Sequence, residues 1–175
     1  MHKFYGLPGG AAAGIADAKM PDYQAGYEQM CSNVMAGLTG LNLVYESVGM
    51  HASLLGFCLE SLILGDDMLG QAQRCVRGIE VNDDITSLQV IKQTCLEGPG
   101  HYLGSDQTLS LMQTEYIYPA LGDRTSPKEW LEIGKPNLIE NAIKKKNDIL
   151  KKSSAAEFNP ELDARIRKMF NIHLN

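Results

Sequence analysis

The chain has no excess of basic residues: 16 Lys and Arg stand against 21 Asp and Glu, for a net charge of -5. Phosphate contacts need a basic surface, so nucleic acid is excluded as the main partner. Long apolar runs are missing too. The longest candidate, residues 54–64, is interrupted by Glu60 and Ser61. It falls well short of the roughly 20 residues that cross a bilayer, so no membrane partner is expected. Met1-His2-Lys3 is not followed by the apolar core of a signal peptide. The cysteines are few and scattered, at 31, 58, 75 and 95, with no C-x-x-C pair among them. The histidines, at 2, 51, 101 and 173, are as dispersed, so no metal centre is expected. In apolar helical surroundings the thiols read as reduced core residues, which suits a cytoplasmic protein. There is no internal repeat and no low-complexity segment.

What is present is one domain's worth of chain, 175 residues, 44% of them hydrophobic. Its most informative stretch is Gly9 to Gln24, GGAAAGIADAKMPDYQ. The apolar run Phe4-Tyr5-Gly6-Leu7-Pro8 before it reads as a strand, spanning residues 1–8. Helical periodicity follows, from Pro21-Asp22 through Tyr27, Met30, Val34 and Leu38 to a terminal Gly40. Leu41 to Glu46 reads as a second strand. Strand, helix and strand with short joints make a right-handed crossover with parallel strands. Loops at the C-terminal ends of parallel strands are where α/β enzymes place their chemistry. Gly9 and Gly10 would let a ligand approach the backbone, although they lack the spacing and lysine of a P-loop.

From residue 53 onward only helices are expected. Leu54, Leu55, Cys58, Leu59, Leu62 and Ile63 form an apolar face that contains Glu60, a carboxylate in need of a partner if buried. Asp66-Asp67 reads as a bend or as the wet side of that helix. Asn82, Ser105, the Ser126–Glu129 capping box with Pro127, and Asn159-Pro160 mark helix starts. Lys144-Lys145-Lys146 reads as a solvated face. Two strands and about seven helices do not close a sheet, and two parallel strands alone leave both edges unpaired.

Several segments together resemble the trimethylamine methyltransferase family. They are Ala16-Asp17-Ala18-Lys19 with Pro21-Asp22 and Gln24-Ala25-Gly26-Tyr27, then Gly37-Leu38-Thr39-Gly40 with Asn42-Leu43-Val44-Tyr45. Asp66-Asp67, Arg77 to Val81, Gly98 to Leu103, Glu115, Tyr118-Pro119 and Asp123-Arg124 extend the likeness over nearly the whole chain. The resemblance implies the C-terminal portion of a (β/α)8 TIM barrel: two parallel strands in a last βαβ unit over 1–52, then a mainly helical region over 53–175. It also implies methyl transfer from a methylated amine to the cobalt of a corrinoid carried by a partner protein. Only standard residues occur here, which implies the branch without pyrrolysine, associated with quaternary amines such as betaines. The expected partners are a corrinoid protein, the amine, and either the N-terminal barrel half or a second copy. Glu60 would then meet the corrinoid protein or the remainder of the barrel.

A quaternary ammonium wants an aromatic face or a carboxylate. Tyr45 and Glu46 at a strand end supply one of each, and Asp17 and Lys19 sit in the other strand-end loop, where Lys19 could hold a substrate carboxylate. These four are the candidate substrate contacts; Gly9, Gly10 and His101 are the candidate cofactor contacts. Each has a plainer reading. Tyrosine is favoured in strands, Asp17 could cap the coming helix, Lys19 could be solvated, and His101 could pack in a glycine turn. A helical interaction module without activity is the competing class.

Overall fold

The computed structural model describes residues 1–152 and 159–170; His173 lies outside them. The N-terminal part runs α1 (His2–Tyr5), β1 (Gly10–Ala12), α2 (Tyr23–Leu38), β2 (Leu43–Tyr45), β3 (Met50–His51) and β4 (Gly56–Phe57). The rest is helical: α3 (Leu59–Arg77), α4 (Asp83–Thr86), α5 (Leu88–Lys92), a π-helical turn over Gln93–Glu97, α6 (Asp106–Thr114), α7 (Pro127–Glu132), α8 (Leu138–Lys152) and α9 (Pro160–Met169).

β1 and β2 are parallel, pairing Gly10 with Leu43, Ala11 with Val44 and Ala12 with Tyr45. The βαβ expectation is met, but its first strand is displaced. Residues 1–8 are not a strand: His2–Tyr5 form one helical turn, closed by Gly6 at φ 65°. Pro8 has no N–H to give a ladder. Pairing begins where Asn42 reaches over, its Oδ1 accepting the Gly9 N–H at 2.9 Å. The Gly9 carbonyl in turn accepts from the N–H groups of Asn42 and Leu43 at 2.9 and 3.2 Å. The glycine-rich loop therefore begins as strand.

α2 starts at Tyr23, two residues later than expected. Asp22 is its cap, accepting from the Ala25 N–H at 3.1 Å, and Pro21 precedes it. The helix ends in a Schellman turn: Gly40 N–H bonds the Gly37 carbonyl and Leu41 N–H the Ala36 carbonyl. Its buried stripe is Ala25, Gln29, Asn33 and Ala36. The expected face is only partly covered: Met30 and Val34 are half-buried, while Tyr27 is 53% and Leu38 57% exposed. α2 packs on α3 and on loop backbone, and the amides of Gln29 and Asn33 turn inward to satisfy the Met50 and Ser47 carbonyls of that loop.

The all-helical reading from residue 53 is also corrected. β3 and β4 form a hairpin, with Met50 opposite Phe57 and His51 opposite Gly56. Ala52, Ser53 and Leu54 in its turn all have positive φ, which a right-handed helix cannot contain. Leu54 and Leu55 lie in that exposed turn rather than on a helix face. Cys58 caps α3. α3 passes close to the loop between β2 and β3: a Cβ on Gly65 would run into the Val48 side chain.

α3 is the spine of the remainder. Glu60 finds its partner within the chain, Lys146 on α8, at 2.6 Å, so the lysine run is not wholly solvated. Asp67 neither bends α3 nor faces water alone; its carboxylate accepts from the N–H groups of Ala120 at 2.6 Å and Gly122 at 3.2 Å. Arg74 and Arg77 hold the Glu115 carboxylate at 2.8 and 2.9 Å. Asn82, Ser105, Ser126 and Asn159 cap their helices as expected, Ser126 within a complete capping box. The cysteines are free, but Cys31, Cys75 and Cys95 are exposed and Cys58 is half-buried, so they are not core residues. The core is small: Ala16, Ala18 and Ala25 cluster, and no large side chain among the described residues is fully buried. Among the described residues no helix is long and apolar enough to cross a membrane.

Candidate functional site

Because β1 and β2 are parallel, Ala12 and Tyr45 mark the same end of the pair, and the loops that follow them meet. Ala13 N–H donates to the Tyr45 carbonyl at 3.2 Å and Ala16 N–H to the Met50 carbonyl at 3.2 Å. Ala52 N–H donates to the Ala18 carbonyl at 2.9 Å and Ser53 N–H to the Ala16 carbonyl at 3.2 Å. Residues 13–18 are thus stitched to the segment between β2 and the hairpin turn.

The inner face of α2 locks this arrangement. Asn33 Nδ2 donates to the Ser47 carbonyl and to the Gln29 carbonyl, each at 2.9 Å. Gln29 Nε2 donates to the Met50 carbonyl at 3.2 Å. Glu28 Oε2 accepts from the N–H groups of Asp17 and Ala18 at 2.8 and 3.2 Å, and its Oε1 accepts from Gln24 Nε2 at 2.8 Å. Gly14 donates its N–H to Ser32 Oγ at 2.9 Å. With φ at 77°, it passes so near Ser47 that a Cβ would strike the Ser47 carbonyl. Only glycine fits such a position without strain.

Asp17 and Lys19 are brought together. Lys19 Nζ donates to the Asp17 carbonyl at 2.8 Å, and the Asp17 carboxylate accepts from the Ser53 hydroxyl. Asp17 is not the cap of α2. Tyr45 closes β2 with its side chain 48% exposed, and Glu46 follows in an exposed left-handed conformation at φ 64°. The two pairs share one end of the strands, but no hydrogen bond joins them among the described residues. Gly9 and Gly10 are elsewhere. Gly10 lies within β1 and Gly9 at the opposite, N-terminal end, where a Cβ would come within 2.6 Å of the His2 ring. They are not in a strand-end loop because the strand starts later than the apolar run suggested. His101 is exposed in the turn before α6, outside both loops.

Sequence reasoning missed the residues that hold the site: Glu28, Gln29, Ser32 and Asn33. Their signal was the pair of amides at 29 and 33 between Ala25 and Ala36, a small and polar stripe at helical spacing. His51, counted among scattered histidines, is only 4% exposed. In the first turn of α3 the Glu60 carboxyl is held below its usual range, chiefly by the hydrogen bond from Lys146. Among the described residues no cluster of three or more His, Cys, Asp and Glu could hold a metal ion.

Chemically, the strand-end loops offer two carboxylates in water's reach with a lysine beside Asp17, while the Tyr45 ring reaches back alongside Gly10 of β1. That set can attract and orient a cation bearing a carboxylate of its own.

A family model described as trimethylamine methyltransferase (MTTB) matches residues 1–172. The chain is 30% identical over 166 residues to a glycine betaine methyltransferase of Desulfitobacterium hafniense, covering 94% of this chain and 34% of that protein. It is 31% identical over 149 residues to a trimethylamine methyltransferase of Methanosarcina thermophila, covering 85% of this chain and 30% of that protein. A trimethylamine methyltransferase of Methanosarcina mazei is 31% identical over 166 residues, 95% of this chain and 32% of that protein. The chain thus spans about a third of the length of the curated relatives it matches.

Proposed function

Since the chain belongs to the trimethylamine methyltransferase family, we propose that it forms the C-terminal portion of a (β/α)8 barrel that takes a methyl group from a methylated amine. The reading takes the amine to be quaternary, a betaine for choice, and the acceptor to be the cobalt of a corrinoid protein. The observation that carries it is the strand-end face: Tyr45 and Glu46 after one parallel strand, Asp17 and Lys19 after the other. Two further features agree. Among the described residues β1 and β2 pair only with each other, leaving edges that neighbouring barrel strands would cover. Leu43 on β2 is 63% exposed, an apolar surface suited to burial against more of the barrel.

The chemistry asks little of acids and bases. When the C–N bond of a quaternary ammonium breaks, the electron pair stays on nitrogen and a neutral amine leaves without needing a proton. What the chain must do is bind the cation and orient it, and orientation is the larger contribution in such a transfer. Tyr45 would face the ammonium, Glu46 would add charge, and Lys19, with donors to spare beyond the Asp17 carbonyl, would take the betaine carboxylate. Of the three residues assigned to cofactor contact, the two glycines do not fit that role: Gly9 is covered by His2 and Gly10 is strand-paired. The corrinoid would therefore be met by surfaces other than these two glycines.

The test is a fusion of residues 1–175 to the N-terminal two-thirds of the Desulfitobacterium hafniense relative. Methylation of cob(I)alamin is followed by its absorbance, with glycine betaine and trimethylamine as donors. Turnover of a methylated amine supports the proposal. A fusion that is folded by circular dichroism and size exclusion, yet methylates cobalt from neither donor, leaves the non-catalytic interaction module as the better reading.

A further inference from the structure

A second cluster lies where the hairpin meets α3. Cys58 stands at the cap of this 19-residue helix, its Sγ accepting from the Ser61 N–H at 3.4 Å. The thiol donates to Ser61 Oγ at 3.0 Å, and that oxygen is 2.5 Å from His51 Nε2. His51 and Ser61 are 4% and 2% exposed, while Cys58 is half-buried. The other ring nitrogen of His51, Nδ1, is buried with no partner among the described residues. Among the described residues no carboxylate or carbonyl fixes this imidazole, and its polar contacts go to the hydroxyl and, at 4.0 Å, the thiol.

Capping alone explains this poorly. Ser, Thr, Asp and Asn are the good N-caps, and sulfur is a weak acceptor. A buried imidazole with an unpaired nitrogen adds a cost that a cap does not require. Thiol, hydroxyl and imidazole in series are instead the parts of a proton relay. The geometry points to Cys58 as a modification site for low-molecular-weight disulfides, with His51 as general base acting through Ser61. In the step, Cys58 sulfur forms a new S–S bond with one sulfur of the disulfide. The old S–S bond breaks, and its second sulfur leaves as a thiolate with the electron pair. The Cys58 proton passes to Ser61 Oγ as the Ser61 proton passes to His51 Nε2. The protein thiol is oxidised to a mixed disulfide and the reagent is reduced to one thiol. Negative charge developing on Cys58 sulfur is favoured by the N-terminus of α3.

The probe is 5,5′-dithiobis(2-nitrobenzoate), with the modified cysteines identified by peptide mass mapping over time. Cys31, Cys75 and Cys95, all exposed, are internal references. Cys58 is expected to react faster in the folded protein than in the same protein unfolded in urea, and faster than the three references. Ser61→Ala and His51→Gln should each slow Cys58 about 100-fold, the low end of what a positioned base contributes, and leave the references unchanged. If circular dichroism shows that a variant does not fold, the folded-against-urea comparison of the unaltered protein decides. Slower reaction of Cys58 in the folded protein, or an unchanged rate in two folded variants, overturns the proposal.

Discussion

Gly14→Ala should be among the most damaging single-methyl changes in the described residues. At φ 77° the backbone is in the left-handed region, which costs an L-residue about 1–2 kcal/mol. The new methyl would also strike the Ser47 carbonyl and lie 2.7 Å from Asn33 Nδ2. Neither neighbour is a free side-chain tip. The carbonyl is backbone, and the amide is held by its bonds to Ser47 and Gln29. Overpacking of this kind costs about 1–3 kcal/mol, and relief by moving the loop gives up the Asn33–Ser47 bond, worth about 1 kcal/mol. Together these amount to about 3–6 kcal/mol, a large share of the roughly 5–15 kcal/mol that holds a typical domain. Urea unfolding followed by far-ultraviolet circular dichroism reads the loss. Gly70→Ala is the control: Gly70 lies within α3 and a Cβ there meets nothing within 4 Å, so that change should stabilise by up to about 1 kcal/mol. A Gly14→Ala protein within about 1 kcal/mol of the parent, a margin smaller than the left-handed penalty alone can reach, would mean that the two loops do not meet as described.

In the barrel fusion, Tyr45→Ala and Glu46→Gln should weaken use of betaine with little change in unfolding midpoint, the tyrosine by about 0.5–2 kcal/mol in binding; normal turnover in both would make these residues scaffold. The Glu60–Lys146 pair makes stability depend on pH. The folded carboxyl lies below its ordinary 4.5, so its contribution is complete above that value and is lost as pH falls through the lowered one. Melting temperatures of the parent and Glu60→Gln should therefore differ at neutral pH and converge in acid, whereas a constant gap would show that the charge plays no part. Asp67→Ala should release the N–H groups of Ala120 and Gly122 and open residues 115–126 to limited proteolysis; an unchanged digestion pattern would show that the carboxylate is not the clasp.

The sequence by itself determined what is local. Asn82, Ser105, Ser126 and Asn159 were legible as caps because a capping oxygen and the N–H it serves lie within three residues of each other. The parallel crossover was legible because a helix between two short strands leaves few ways to return to the same sheet. From that followed the placing of Tyr45, Glu46, Asp17 and Lys19 at one end of the pair. Tertiary structure decided the rest. β1 starts at Gly10 because Asn42, 33 residues past Gly9, supplies the first bonds of the ladder. α2 turns Ala25, Gln29, Asn33 and Ala36 inward because it must satisfy loop carbonyls that no hydrophobic periodicity announces. Glu60 meets Lys146 across 86 residues, and His51, Ser61 and Cys58 converge only because a tight hairpin turn delivers the histidine to the start of α3. In each case a polar group finds its partner across the chain, and that depends on distances in space which spacing along the chain does not encode.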